Sequence, residues 1–101
     1  MAFDMYAGDY HEKIEVHEEY LFEMASSNRD SFPEINDLRS KFYDDPKISV
    51  LKSELIIHEL ISLLVQCMDS HDTSSAKIIA RLLSFFSQAK RTNLEIKCKS
   101  D

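Results

Sequence analysis

The stretch Leu51–Met68, LKSELIIHELISLLVQCM, is the densest apolar run in the chain, and the fold class turns on how it is read. At about 100° per residue, Ile56, Ile57, Leu60, Ile61, Leu63, Leu64, Cys67 and Met68 share one wide face. Lys52, His58, Glu59, Ser62 and Gln66 gather on the opposite side. An arc that broad predicts a central helix covered by two or three neighbours. Each large apolar side chain fully buried there contributes roughly 1.5–3 kcal/mol. A membrane span needs about 20 apolar residues. Lys52, Glu54, His58 and Glu59 interrupt this run, and charge at mid-membrane is costly. The expectation is therefore the core helix of an all-α domain, with no membrane contact.

The chain has 101 residues, enough for one domain, and a single helical domain over residues 1–101 is expected. One Gly and two Pro are too few turn formers for a many-stranded β fold, whose turn signals recur every 8–12 residues or so. The opening MAFDMYAGDY has neither a basic nor an apolar leader segment, so no signal peptide is expected. Cys67 and Cys98 are too few for a disulfide framework and suit free thiols in a reducing cytoplasm.

Three further helices flank the central one. The first runs from about Tyr10 to Asn28, with Ile14, His17, Leu21, Met24 and Ala25 on one face and Glu12, Glu15, Glu19 and Glu23 on the other. The second runs from Phe32 or Pro33 to Tyr43 on an Ile35/Leu38/Phe42 stripe. Ser31 and Glu34 stand at capping-box spacing, and Pro33 suits a first turn. Asp45 and Pro46 would open the central helix. The fourth runs from Ser75 to about Arg91 after a cap at Asp72, Thr73 or Ser74. Ile78, Ile79, Leu82, Phe85, Phe86 and Ala89 face inward, and Asn93 ends it. The result is a four-helix, bundle-like domain. Two alternating segments, residues 2–7 and 94–98, could add a short two-stranded pairing at the termini; a frayed helix end is the alternative.

No constellation carries catalysis. His58-Glu59 lacks the second His of a zincin motif, since position 62 is Ser. A Cys67/His71/Asp72 group matches no strong zinc pattern. A single Gly removes Gly-rich loops and the nucleophile elbow. No enzyme, metal or cofactor is expected.

Charge is segregated. Residues 1–46 hold twelve Asp/Glu against four Lys/Arg, whereas residues 73–101 hold two against six, within a net charge of −6. Like charges four residues apart destabilise an isolated helix by a few tenths of a kcal/mol per pair. The Glu12/Glu15/Glu19/Glu23 stripe, bordered by Tyr20 and Phe22, is thus a candidate surface for a cationic protein partner, and a solvated helix face is the competing reading. Reversing Glu15 and Glu19 to Lys should then slow association at low salt. The basic residues of helix four, Lys77, Arg81, Lys90 and Arg91, suggest a second reading, a helical regulator or adaptor contacting nucleic acid or protein through that helix. The acidic remainder of the molecule argues against direct nucleic-acid binding.

The opening MAFDMYAGDY and the segment FPEINDLRSKFYDDPKIS (residues 32–49), on a small acidic helical design without a catalytic motif, resemble the bacterial immunity proteins of contact-dependent growth inhibition and related polymorphic toxin systems. The resemblance implies a cytoplasmic antidote that binds one cognate toxin domain, often a cationic nuclease, and neutralises it.

Overall fold

The computed structural model describes residues 3–100. Two strands come first, β1 (Phe3–Ala7) and β2 (Tyr10–Ile14), then a short 3-10 helix (Val16–Glu18) and α1 (Tyr20–Ser26). There follow α2 (Pro33–Ser40), β3 (Lys47–Ile48), α3 (Val50–Asp69), α4 (Thr73–Arg91) and β4 (Ile96–Ser100). The four strands form one antiparallel sheet in the order β2-β1-β4-β3. The all-α expectation is therefore wrong: the architecture is α+β, with helices packed on one face of a four-stranded sheet.

The expected terminal pairing does form, with Met5 opposite Cys98 and Tyr6 opposite Lys97, but as the centre of a larger sheet. Residue 2, included in that expectation, lies outside the described residues. The two additional strands escaped for different reasons. β3 is two residues long, too short for a periodic signal. β2 was read as the first turns of a helix because Ile14, Leu21 and Ala25 are all buried and fit helical spacing. In fact Ile14 ends a strand, opposite Phe3, and helical geometry begins only after it. Gly8-Asp9 makes a two-residue hairpin loop between Ala7 and Tyr10, with Gly8 at φ +60°, as a turn with Gly at its first central position requires. A Cβ at Gly8 would stand 2.9 Å from a Leu94 methyl, which would have to shift, and the positive φ strains any other side chain there.

The core lies between the sheet and the helices. Phe3, Met5, Ile14, Ile48, Ile96 and Cys98 contribute from the strands and are all buried. The expected stripes of the second and fourth helices, Ile35/Leu38/Phe42 and Ile78/Ile79/Leu82/Phe85/Phe86/Ala89, are buried without exception. Phe42 stacks on Phe3 at 3.9 Å between ring centroids and meets Phe22 edge-on, which fastens the end of α2 to the first strand.

Both long helices close in the same way. His71 (φ 59°) and Asn93 (φ 58°) take left-handed conformations immediately past their ends. In each case the next residue's N–H reaches back, Asp72 to the Cys67 carbonyl at 2.8 Å and Leu94 to the Ala89 carbonyl at 2.9 Å. The expected cap Asp72 opens α4 by accepting from the Ser75 N–H at 3.0 Å. α3 is opened by Ser49, not Asp45, through the Lys52 N–H at 3.1 Å.

α2 has no side-chain cap of its own, so the Ser31/Glu34 capping box is absent. Glu59 of α3 takes its place, accepting from the Glu34 N–H at 3.0 Å and the Ile35 N–H at 2.9 Å. Glu59 is buried, which corrects its expected place on a polar outer face. The Glu59→Ala variant should lose about 1–3 kcal/mol, since two buried N–H groups are left without an acceptor. Urea unfolding should show a lower midpoint at unchanged slope; an unchanged midpoint would rule out the capping role.

Candidate functional site

The acidic residues singled out from the sequence do not share a face. Glu12 sits on β2, Glu15 just before the 3-10 helix, Glu19 at the head of α1, and Glu23 inside α1. Glu12 binds the Arg81 Nε at 3.0 Å, Glu15 the Lys13 Nζ at 3.0 Å, and Glu19 the Arg39 Nη1 at 3.2 Å. Glu23 is exposed. Tyr20 is half-buried, and Phe22 is core, with the Arg39 guanidinium 5.8 Å from its ring centroid. The stripe read as a partner surface is thus dispersed and largely neutralised from within. The spacing that produced it assumed helical geometry from residue 10 onward, and only Glu23 and its two aromatic neighbours lie on α1.

Of the basic residues of helix four, Arg81 and Lys90 are engaged within the fold, and Lys77 and Arg91 are exposed. Arg81 donates to both carboxylate oxygens of Glu18, at 2.8 and 3.0 Å, to Glu12 at 3.0 Å, and to the Lys13 carbonyl at 2.9 Å. Four directed bonds from one guanidinium leave little of it for a ligand. The fork to Arg81 holds the Glu18 carboxyl below its ordinary range against the opposing effect of burial, and it raises Arg81 in turn. Lys90 is paired with Glu54 at 3.3 Å. A group that is easier to ionise folded than unfolded stabilises the fold above its unfolded pKa, and that stability is lost as pH falls through the lowered folded value. Unfolding free energy should accordingly decline below about pH 4.5. The Glu18→Gln variant should be less stable near neutrality by about 1–3 kcal/mol. It should also show a flatter acid limb in urea midpoint against pH, and an acid limb identical to the wild type would refute the assignment.

Among the described residues no group of three or more His, Cys, Asp and Glu is placed to hold a metal ion. Cys67 and Cys98 are both buried free thiols. Burial pushes Cys98 up to about 12, with the Asp45 carboxylate adding to it, and burial raises Cys67 as well. Asp72 spends its carboxylate on Ser75. Both thiols should resist alkylation at pH 8 in the native protein and react in urea, because the thiolate is the reactive form. Rapid native labelling of either would contradict this burial.

The feature the sequence missed is on α3. Leu51, Leu55, Ile61, Val65 and Met68 are exposed, at 69%, 45%, 48%, 53% and 65%. The helix is not covered all round. Its buried face is Ser53, Ile56, Glu59, Leu60, Leu63 and Cys67, and Ile61 and Met68 turn to the side opposite the one expected for them. With 1.5 Å of rise per residue the exposed row is roughly 25 Å long. Glu54, His58 and Asp69 are interspersed along it, and Lys90 of α4 borders an open hollow of about 620 Å³ beside Leu55, Ile57 and Ile61. No helix among the described residues is long and apolar enough to cross a membrane. A second period was visible in the sequence: residues 51, 55, 58, 61, 65 and 68 recur at steps of three and four, the seam spacing of packed helices.

Comparison with protein-family models, with curated protein sequences and with solved structures finds no match to this chain.

Proposed function

We propose that this chain is an immunity protein that binds one cognate cationic toxin domain, of the nuclease class, in the cytoplasm and neutralises it by occupying its surface. The observation that carries the reading is the α3 row. Five large apolar side chains left in water along one rigid helix favour burial against another protein over independent solvation. Such a helix presents knobs at the spacing that a groove receives. The Asp69 carboxylate lies in the same row, where Glu54 is paired with Lys90, and the chain carries a net charge of −6, which complements a basic partner and speeds encounter with it. The interface therefore moves from the Glu12/Glu15/Glu19/Glu23 set to α3.

The partner to test is the toxin domain encoded in the adjoining reading frame. With that domain immobilised, Leu55→Glu and Val65→Glu should each weaken binding by about 30-fold or more, as removal of an interface hot spot does. Helix content should be unchanged, because both side chains already face water. The Glu15→Lys/Glu19→Lys pair should bind within a few-fold of the parent, since those carboxylates are engaged with Lys13 and Arg39. Wild-type affinity in both α3 variants would sink the proposed interface. Failure of the parent to bind or inhibit that domain would sink the function.

A further inference from the structure

The outer face of the sheet has a composition that the fold does not use. In an antiparallel pair, residues directly opposite point to the same side. Phe3, Ile14, Met5, Cys98, Ile48 and Ile96 fill the inner face. Asp4, Lys13 and Lys99 then share the outer face with Tyr6, His11 and Lys97, and Lys47 stands opposite Lys97. Four lysines from three strands meet there, with Asp4 and Asp45 as the neighbouring acids, in a chain that is acidic overall.

Two details separate this face from a solvated one. Lys47 and Lys97 are directly opposed across the edge of the sheet, an arrangement that destabilises strand pairing. Among the described residues Lys47, Lys97 and Lys99 have no ion pair, although three of the other basic side chains, Arg39, Lys52 and Arg81, are tied to carboxylates. Beside them Tyr6, 42% exposed, stacks on His11 with ring centroids 4.6 Å apart and planes 16° apart. Asp4 fixes that imidazole at 2.9 Å. Tyr6 and the three lysines, with Asp45 and Cys98, line a shallow depression of about 400 Å³.

Unpaired cations set beside a fixed aromatic platform match the two halves of a nucleotide, phosphate and base. Open sheet faces recognise unstacked bases in this manner, whereas the bases of a duplex are already paired and stacked. We propose that the outer face of the sheet binds single-stranded nucleic acid, with Lys47, Lys97 and Lys99 meeting phosphates and the Tyr6–His11 pair receiving a base. This site is separate from the α3 row and stands whether or not that row binds a toxin. Basic character in helix four pointed elsewhere, because the lysines that matter lie 50 positions apart in sequence and only the β3–β4 pairing brings them together.

The test is fluorescence anisotropy of the full chain with labelled single-stranded oligouridylate, a duplex of equal length and labelled polyglutamate. At low salt the single strand should bind best, and the logarithm of its affinity should fall with log salt at a slope of about −2, as three phosphate contacts on a single strand require. Lys97→Gln/Lys99→Gln should weaken binding by about tenfold at low salt and flatten that slope. Tyr6→Leu should weaken it by about five- to tenfold with the slope retained, since a base loses its stack. Lys97→Gln should also leave the urea midpoint unchanged or slightly higher, because it relieves the opposition to Lys47. No binding at low salt would overturn the site, as would equal binding of the duplex or of polyglutamate. Indifference to the lysine or tyrosine substitutions in proteins that remain folded would overturn it as well.

Discussion

The guanidinium of Arg81 is the joint on which the two halves of this molecule meet. It takes the Lys13 carbonyl where β2 ends, Glu12 on the strand itself, and both oxygens of Glu18 on the 3-10 helix. A segment that leaves a sheet and enters a helix has to satisfy its backbone groups through the change of geometry. Glu18 contributes to that by accepting from the Glu15 N–H at 3.0 Å while it holds Arg81. One side chain on α4 thereby fixes where the strand stops, where the helical turns begin, and how the first twenty residues lie against the last thirty. Removing one partner of such a cluster leaves buried charge uncompensated, so its members act as a unit.

A second constraint operates through α3, which has two working faces. Its inner face carries the core and, through Glu59, the N-terminus of α2. The two backbone N–H groups bound there are among those that a helix leaves unsatisfied within itself. α2 has only eight residues, and isolated helices of that length are unstable in water, so an acceptor held by a longer helix fixes its position. The outer face of α3 takes no part in this and remains apolar. A helix hydrophobic nearly all round is ordinarily central to its domain. Here it lies at the border, and its outer apolar side chains are exposed, which is what the proposed interface rests on.

The legible and illegible parts of the fold divide along a physical line. Helices α3 and α4, the buried stripe of α4, the cap at Asp72 and the stop at Asn93 follow from local periodicity and capping chemistry, and each could be read from residues within one or two turns; the face that α3 buries could not, since Ile61 and Met68 stay exposed and Glu59 is buried. The terminal pairing was visible as two alternating segments. β2 was not, because YHEKI lacks alternation: Glu12 points to the inner side and is tolerated there only because Arg81 arrives from a position 69 residues away. The Gly8-Asp9 dipeptide was nonetheless a hairpin signal, and giving it weight would have turned residues 10–14 from helix to strand. Glu59 was invisible for the same reason as Glu12. Its partners, two backbone N–H groups of α2, have no sequence signature at all.

Charge segregation along the chain was real, but its meaning changes in three dimensions. The acidic first half and the basic last third were set apart as possible surfaces for outside partners. Instead the strongest cation of the last third, Arg81, is spent inside the molecule on the strongest acids of the first, and Arg39 and Lys52 do the same within the α1–α2–α3 corner. What these internal pairings leave over is therefore more informative than the total. On the sheet they leave lysines that oppose one another, and on α3 they leave a row of apolar side chains. Like charges opposed on a sheet and apolar side chains left in water are both arrangements that cost the fold stability. The two faces differ in sign and in polarity, and the two binding roles proposed for them are accordingly distinct.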